Sequence, residues 1–268
     1  MFINNINPVL VTLGPFSIRY YGIIYALGFL IAYLFLRYQI THKKLKMTHE
    51  QLDSYLLWLI LGVVIGARIF EIIFFSWSYY ASRPLEMLMI WNGGLSFHGG
   101  LVGAIIVTLI FCKTNNMEFY ELADMLVIPA AFALALGRIA NFINSEVYGK
   151  ITTPEATPWC VVFARVDSYC RHPSQLYESL KNFVIYGTLS LYMHYKTKKY
   201  KKGTIFWMFV LMYGILRFLV NFYRDDPIYY FLGIGLSVGQ WLCVAMVPVS
   251  IYFLVFRIKV FKPLKHHN

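Results

Sequence analysis

The chain has 268 residues, of which 59% are hydrophobic and only 14% are charged, whereas a soluble domain carries about 25% charged residues. A soluble fold of this composition would expose far too much apolar surface, so the composition predicts a membrane protein. The net charge of +11 lies in short segments between apolar stretches, which is typical of cytoplasmic loops and excludes nucleic acid as an expected partner.

Seven stretches contain the roughly 20 mostly apolar residues that a membrane-spanning helix needs. Basic residues follow the first, third, fifth and seventh stretch, most densely at 196–202 and 257–265. By the positive-inside rule, the N-terminus is expected outside and the C-terminus in the cytoplasm. We therefore predict an all-α polytopic membrane protein, a single transmembrane domain over residues 1–268 with an irregular periplasmic cap at 144–174. Its predicted spans are about 20–37, 53–75, 95–112, 121–143, 176–194, 204–222 and 232–256.

The four cysteines show no metal-ligand spacing, so we expect no bound metal. We also expect that the protein uses no cofactor. Cys160 and Cys170 fall in the predicted cap. They either form a disulfide there or remain two free thiols, and the sequence leaves both alternatives open.

Several ionisable and polar residues are predicted inside the spans, where they are costly and usually face a polar interior. Arg138 lies about five residues before the outer end of the fourth span, roughly 8 Å along the helix axis, and Asn141 shares its face. Tyr213 and Arg217 are four residues apart on the sixth span. His98 and Tyr21 lie near the outer ends of their own spans, so these groups are expected to converge in the outer third of the bilayer.

Other charged residues have a structural interpretation. Arg68 and Glu71, three apart on the second span, are expected to form a structural ion pair. Arg224 with the aspartates that follow it is either an interfacial cluster or part of the site. Two buried arginines beside Asn and Tyr side chains favour a phosphate site, because a guanidinium binds phosphate through paired donors. Such a site suits displacement at a phospholipid head group, with a histidine available to accept a proton near neutral pH.

Five stretches of the chain now carry a specific resemblance. In their order and predicted topology they resemble the bacterial phosphatidylglycerol–prolipoprotein diacylglyceryl transferases, and the similarity extends over most of the chain. The stretches are residues 20–22 (YYG), 91–100 (WNGGLSFHGG), 137–144 (GRIANFIN, followed by Glu146 and Gly149), 171–178 (RHPSQLYE) and 213–224 (YGILRFLVNFYR).

The resemblance implies transfer of the diacylglyceryl group of phosphatidylglycerol to the lipobox cysteine thiol of a prolipoprotein signal peptide, with release of glycerol phosphate. It also implies that the protein lies among the lipids of the bacterial inner membrane, with its site towards the outer leaflet. The implied catalytic residues are His98, Tyr213, Arg138, Arg217 and Tyr21. The implied phosphatidylglycerol-binding residues are Arg138, Asn141, Glu146, Gly149, Arg217 and Arg224.

The sequence departs from the family pattern at three positions. Asn221 stands where a glutamate is common, so a carboxylate that would pair with Arg217 or Arg224 is missing. Ser145 and Ala140 replace commoner glycines. Two other functions remain as alternatives: a transporter or flippase for an anionic lipid or solute, and a catalytically inactive relative that acts by binding.

Overall fold

A computed structural model describes residues 2–13, 16–196, 200–231 and 233–258, so that residues 197–199 and 259–268 of the two most basic segments lie outside the described residues. The chain is an all-α polytopic membrane protein. Its α-helices are α1 (Tyr20–Thr41), α2 (His49–Phe70), α3 (Trp77–Ala81), α4 (Phe97–Thr114), α5 (Phe119–Asn144), α6 (Ser174–Tyr195), α7 (Thr204–Val220) and α8 (Val238–Tyr252).

Within the described residues, six helical segments are long and apolar enough to cross a membrane: Tyr20–Thr41, His49–Phe75, Phe97–Thr114, Phe119–Asn144, Thr204–Tyr223 and Val238–Arg257. The second and the last of these continue α2 and α8 through short π-helical turns, Glu71–Phe75 and Phe253–Arg257. The predicted fifth span corresponds to α6, which has 22 residues but a less apolar sequence. The helix α6 is therefore long enough to cross the bilayer and differs from the other six in its less apolar sequence.

The chain divides into two compact units, residues 33–122 and residues 1–32 with 123–268. In the first of these, α4 packs closely on α2 through glycines. A Cβ atom on Gly99 would lie 2.3 Å from the carbonyl oxygen of Gly66, and one on Gly103 would lie 2.0 Å from that of Gly62. Glycines at a helix interface let the two backbones approach in this way. The glycines of the third predicted span thus serve helix packing.

The other unit contains α5 to α8 and short strands that the sequence did not predict. Two hairpins flank its helices, and a three-stranded sheet has the order β1-β4-β5, with β1 parallel to β4 and β4 antiparallel to β5. This sheet attaches the N-terminal strand to the cap. The strands are β1 (Phe2–Asn4), β2 (Val9–Leu13), β3 (Phe16–Arg19), β4 (Val161–Phe163), β5 (Cys170–Arg171), β6 (Ile228–Phe231) and β7 (Ile234–Ser237).

The cap between α5 and α6 is mostly irregular and is held by one arginine and one disulfide. Arg171 is 7% exposed, and its guanidinium lies 2.6 Å from Asp167 and 3.0 Å from Asp225. It also donates to the Gly149 carbonyl at 3.2 Å. Cys160 and Cys170 form a disulfide, which is one of the two alternatives left open by the sequence.

Candidate active site

A single carboxylate on α6 forms ion pairs with three cationic side chains, which lie on three helices. Glu178 is completely buried, and its Oε2 atom lies 2.8 Å from the Lys181 ammonium and 3.8 Å from Arg138 Nε. Its Oε1 atom forms an ion pair with the Arg217 guanidinium. Because buried charges are tolerated only when they are paired, these contacts tie α5, α6 and α7 together. We call Arg138, Glu178, Lys181 and Arg217 the Glu178 cluster.

The Arg138 side of this cluster continues along α5 as a hydrogen-bond chain. Arg138 Nη1 donates to Asn141 Oδ1 at 3.2 Å, as their spacing of three residues predicts. Asn141 Nδ2 donates to Glu146 Oε2 at 3.1 Å, and Asn144 donates to the other oxygen at 3.3 Å. Glu146 itself is exposed. Its carboxylate is thus oriented by two amides and remains accessible to a ligand.

The end of α5 requires a backbone conformation at position 145 that suits glycine. Ser145 adopts a φ of 58°, the left-handed conformation that ends many helices and that glycine adopts without strain. The Glu146 amide donates back to the Asn141 carbonyl at 2.9 Å, which closes the last turn. Ser145 preserves this geometry at a small conformational cost, so the departure leaves the Asn141–Glu146 contact intact.

Tyr213, one helical turn before Arg217 on α7, covers the Lys181 ammonium. The distance from Lys181 Nζ to the centroid of the Tyr213 ring is 3.9 Å, a cation–π contact. The Tyr213 hydroxyl also interacts with the Arg138 side chain. The predicted residues Tyr213, Arg138 and Arg217 therefore surround the same carboxylate.

The end of α7 and the beginning of α8 complete the surroundings of Arg217. Asn221 donates to the Ser237 hydroxyl, and Ser237 caps α8. A Cβ atom on Gly239 would lie 3.5 Å from Arg217 Nη2, an ordinary van der Waals distance, so the first turn of α8 lies directly beside the guanidinium. Asn221 thus links the end of α7 to the beginning of α8 through a side-chain hydrogen bond. The carboxylate that pairs with Arg217 belongs to Glu178.

Arg224 follows α7 and is buried with one nitrogen uncommitted. Its Nε and Nη2 atoms each lie 2.8 Å from an oxygen of Asp226, whereas the buried Nη1 atom has no hydrogen-bond partner among the described residues. Burial alone would raise the pKa of the Asp226 carboxyl, but the hydrogen bond and charge of Arg224 outweigh it and leave this pKa below its usual value. The two residues form an ion pair with a spare donor.

Gly149 joins the cap to the end of α7. It forms a β-bridge with Arg224, and its amide donates to the His172 carbonyl at 3.0 Å. A Cβ atom at this position would lie 2.5 Å from the carbonyl oxygens of both His172 and Tyr223. Only glycine fits between these two backbone segments, and this steric limit explains why position 149 is a glycine.

The remaining two predicted residues have their own surroundings. Tyr21 donates to or accepts from the Tyr25 hydroxyl at 3.0 Å. His98 is the second residue of α4 and lies in the unit formed by residues 33–122. Its exposed ring packs near Phe70 and Phe97, with distances between ring centroids of 6.3 and 5.9 Å. The structure thus joins Arg138, Asn141, Glu146, Tyr213 and Arg217 in one network, with Gly149 and Arg224 attached to it through the backbone.

Arg68 fixes the segment that precedes His98. Its three guanidinium nitrogens donate to five backbone carbonyls between residues 86 and 94, four of them at 2.6–3.0 Å. The Glu71 carboxylate instead accepts from Ser76 at 2.9 Å. The expectation of an Arg68–Glu71 ion pair was therefore wrong about the partner. The guanidinium has five N–H donors in a planar fork, and converging backbone carbonyls accept from all three of its nitrogens. Arg68 retains the structural role that the sequence suggested.

Two members of the Glu178 cluster were absent from the predicted site. Glu178 closes the stretch 171–178, and Lys181 lies one turn further along α6. Both are ionisable residues inside a predicted span, and that placement is itself a signal of function. The sequence alone did not show that the helix turns these two side chains inward, towards the arginines of α5 and α7.

Comparison with known proteins identifies the family. A family model described as prolipoprotein diacylglyceryl transferase matches residues 8–256. The chain belongs to the prolipoprotein diacylglyceryl transferase family.

Relatives in this family are similar over nearly the whole chain, and the three described next carry the name phosphatidylglycerol--prolipoprotein diacylglyceryl transferase, as other relatives do. One from Polynucleobacter asymbioticus is 39% identical, covering 92% of this chain and 95% of its own length. One from Methylobacillus flagellatus is 38% identical, covering 94% and 97%. One from Rhodospirillum rubrum is 36% identical, covering 97% and 94%. The region that matches the diacylglyceryl transferase family, residues 8–256, includes the cap and the Glu178 cluster.

Proposed function

We propose that this protein transfers the diacylglyceryl group of phosphatidylglycerol to the lipobox cysteine thiol of prolipoproteins, the first step of bacterial lipoprotein maturation. The names of the relatives support this reaction. The observation that carries the proposal is the Glu178 cluster, in which two arginines and a lysine share one carboxylate inside a membrane protein of this family. Such a cluster is suited to a phosphate ester that enters from the lipid.

In the proposed reaction, the cysteine sulfur attacks the glyceryl carbon that carries the phosphate ester. The carbon–sulfur bond forms, the carbon–oxygen bond breaks, and glycerol phosphate leaves with the bonding electrons. Arg138 and Arg217 stabilise the negative charge that grows on this leaving group. The thiol proton passes to a base, for which His98 and Tyr213 are the candidates, with Tyr21 as a further member of the site.

The head group would be held by the side chains around these arginines. Asn141 orients the exposed Glu146 carboxylate, which can accept hydrogen bonds from glycerol hydroxyls. Arg224 offers its uncommitted Nη1 donor. Gly149 holds the backbone of Arg224 against the cap.

The protein is proposed to lie in the bacterial inner membrane with its N-terminus outside and its site towards the outer leaflet. The alternation of basic loops supports this orientation. The Cys160–Cys170 disulfide supports it independently, because disulfides persist in the oxidising space outside the cytoplasmic membrane. A lipobox cysteine that emerges at the outer leaflet would meet the site on that side.

The direct test incubates the purified protein with phosphatidylglycerol and a lipobox peptide and detects the thioether by mass spectrometry. Arg138→Ala should lower the rate about 100-fold or more while the protein stays folded, and Arg37→Ala, an exposed arginine on α1, should retain the wild-type rate. Full activity of Arg138→Ala would refute the assignment of the site. Lipid scrambling in proteoliposomes without thioether would instead support a flippase.

The role of His98 requires a separate measurement. His98→Gln keeps a similar size and removes the titrating group. If His98 accepts the thiol proton, the variant should lose the acidic limb of the pH–rate profile together with most of the rate. An unchanged profile and rate would leave His98 structural and Tyr213 as the candidate base.

A further inference from the structure

Tyr21 has a second tyrosine one turn further along α1, and the two hydroxyl groups are hydrogen bonded. The hydroxyl oxygens of Tyr21 and Tyr25 lie 3.0 Å apart, and the ring centroids are separated by 4.8 Å. The spacing of four residues places both side chains on one face of the helix. Tyr25 is 45% exposed, so core packing does not force its hydroxyl onto that of Tyr21. We call these two residues the tyrosine pair.

The face of α1 that carries the tyrosine pair packs against α5. Gly28 follows Tyr25 by three residues, and a Cβ atom at this glycine would lie 3.1 Å from the Cβ of Ala133. Successive spans cross the membrane in alternate directions, so α1 and α5, the first and fourth spans, run antiparallel. At 1.5 Å per residue, Tyr25 and Tyr21 lie about 4.5 and 10.5 Å from this contact along the axis, and Arg138 lies about 7.5 Å from it in the same direction. The arginine is therefore level with the tyrosine pair.

The charged groups of α5 and the residues after it act on the tyrosine pair. Arg138 and Glu146 both interact electrostatically with Tyr25, and Asn141 links these two residues to each other. Tyrosines that only mark the membrane surface turn their hydroxyls to water and lipid head groups. The hydroxyls of this pair instead face each other, beside an arginine and an exposed carboxylate. The pair thus borders the place where the lipid head group is proposed to bind.

A phosphate ligand fixes the direction of the hydrogen bond within the pair. A tyrosine hydroxyl has one proton to donate and can also accept a hydrogen bond at its oxygen, whereas a phosphodiester anion can only accept. Tyr21 is nearer to the start of α1, the end at which the head group is proposed to bind, and Tyr25 lies behind it. When Tyr21 donates to the phosphate, its oxygen accepts from Tyr25. Hydrogen bonds in such a chain polarise one another, so Tyr21 becomes a stronger donor.

We propose that Tyr25 is a positioning residue that donates to Tyr21 and thereby holds the Tyr21 hydroxyl as a donor to the lipid phosphate, beside Arg138. This inference rests on the proposed function, since it assumes that a phosphate ester is cleaved at this site. Negative charge grows on the phosphate as the carbon–oxygen bond breaks, and a donor already in place stabilises that charge. The contribution of Tyr25 is therefore larger in the transition state than in the lipid complex.

The first test removes only the hydroxyl of Tyr25. The variant Tyr25→Phe should lower kcat for thioether formation about threefold to tenfold, the range expected for the loss of one neutral hydrogen bond. The KM for phosphatidylglycerol and the melting temperature should stay close to the wild-type values, because the interaction acts mainly in the transition state. Tyr38→Phe, at an exposed position near the other end of α1, is the matched control and should keep the wild-type kcat.

The second test asks whether Tyr25 acts through Tyr21. If it does, the double variant Tyr21→Phe/Tyr25→Phe should be no slower than Tyr21→Phe alone, because the partner of Tyr25 is already lost. Rates are measured with the full-length protein in excess over the lipobox peptide, so that slow transfer is still detected. If Tyr21→Phe forms no product under these conditions, the separate effects of Tyr25→Phe on kcat and KM decide the question.

Three results would overturn the role of Tyr25. They are an unchanged kcat in Tyr25→Phe, a rise in KM without a fall in kcat, and an additive loss in the double variant, which would show that the residue acts by itself or through the fold. Failure of the proposed function looks different. The wild type would then form no thioether at all, which would refute the reaction and the role of Tyr25 with it, whereas an active wild type with an equally active Tyr25→Phe would refute this inference alone.

Discussion

Replacing Glu178 by glutamine is the most informative test of how the site is held together. The change keeps the shape of the side chain but removes the charge that Arg138, Lys181 and Arg217 share. Removing one partner of a buried ion pair costs about 3–5 kcal/mol, because the remaining charge is left uncompensated. Here three cations lose their common partner. We therefore expect the loss to reach at least the lower end of that range.

A cost of about 3 kcal/mol corresponds to a fall of at least about 6 °C in the melting temperature of a chain of this size. The assay is thermal unfolding of the purified protein in detergent, followed by the accessibility of the buried thiols of Cys112 and Cys243. Glu155→Gln, an exposed position in the cap, serves as the control and should unfold with the wild type.

A second variant tests whether charge is the cause. In Glu178→Gln/Lys181→Met the carboxylate and one cation are lost together, so the pair should recover part of the stability lost in the single variant, and a double-mutant cycle measures that coupling. A Glu178→Gln protein that unfolds at the wild-type temperature would refute the idea that Glu178 organises the site. Additive effects of the two substitutions would refute the coupling.

Three further predictions concern the cap and its junction with the helices. Gly149→Ala should lower the free energy of unfolding by about 1–3 kcal/mol and remove most of the transfer activity, because the new Cβ would overlap two carbonyl oxygens. The control is Gly137→Ala, since no atom lies within 4 Å of a Cβ atom at that position, and it should be neutral or slightly stabilising. Equal stability of the two variants in thermal unfolding would contradict this prediction. Peptide mapping without reductant should recover Cys160 and Cys170 as one cross-linked pair, and reduction should destabilise the cap by about 2–4 kcal/mol; finding both thiols free would end that prediction. The hydrogen bond from Arg171 lowers the pKa of the Asp167 carboxyl. The contact between the two side chains therefore contributes to stability above the ordinary pKa of about 3.9, and this contribution is lost as the pH falls through the lowered pKa. Hydrogen exchange of the cap should rise in that pH range in the wild type, and Asp167→Asn should lack this rise.

Local spacing was enough to predict the contacts made within one helix. The three-residue spacing of Arg138 and Asn141 predicted a shared face, and the two side chains are hydrogen bonded. The four-residue spacing of Tyr213 and Arg217 likewise placed both towards the same cluster. Apolar runs predicted the helices for the same reason, since each run is a property of one segment.

Contacts between helices could not be predicted in this way. The absence of a glutamate at position 221 suggested that Arg217 lacks a nearby carboxylate, yet Glu178 supplies one from α6. Which helices adjoin each other is decided by tertiary packing, and no spacing within a single chain segment reports it. The hairpins β2–β3 and β6–β7 were missed for a related reason, because their apolar residues were indistinguishable from the ends of membrane spans.

The sequence of α6 is less apolar than that of the six clear spans, because its first half carries many buried polar residues. Its buried stripe begins with polar residues, from Ser174 through Glu178 to Lys181, and becomes apolar from Ile185 to Met193. Among the described residues, the buried charged groups of α6 therefore lie in the first half of the helix, and the second half adds only the Ser190 hydroxyl to its buried polar side chains. A transporter requires groups that accept its substrate across the full depth of the bilayer, whereas a transferase needs them only where the lipid head group and the cysteine meet. The division of this stripe into a polar and an apolar half favours the transferase.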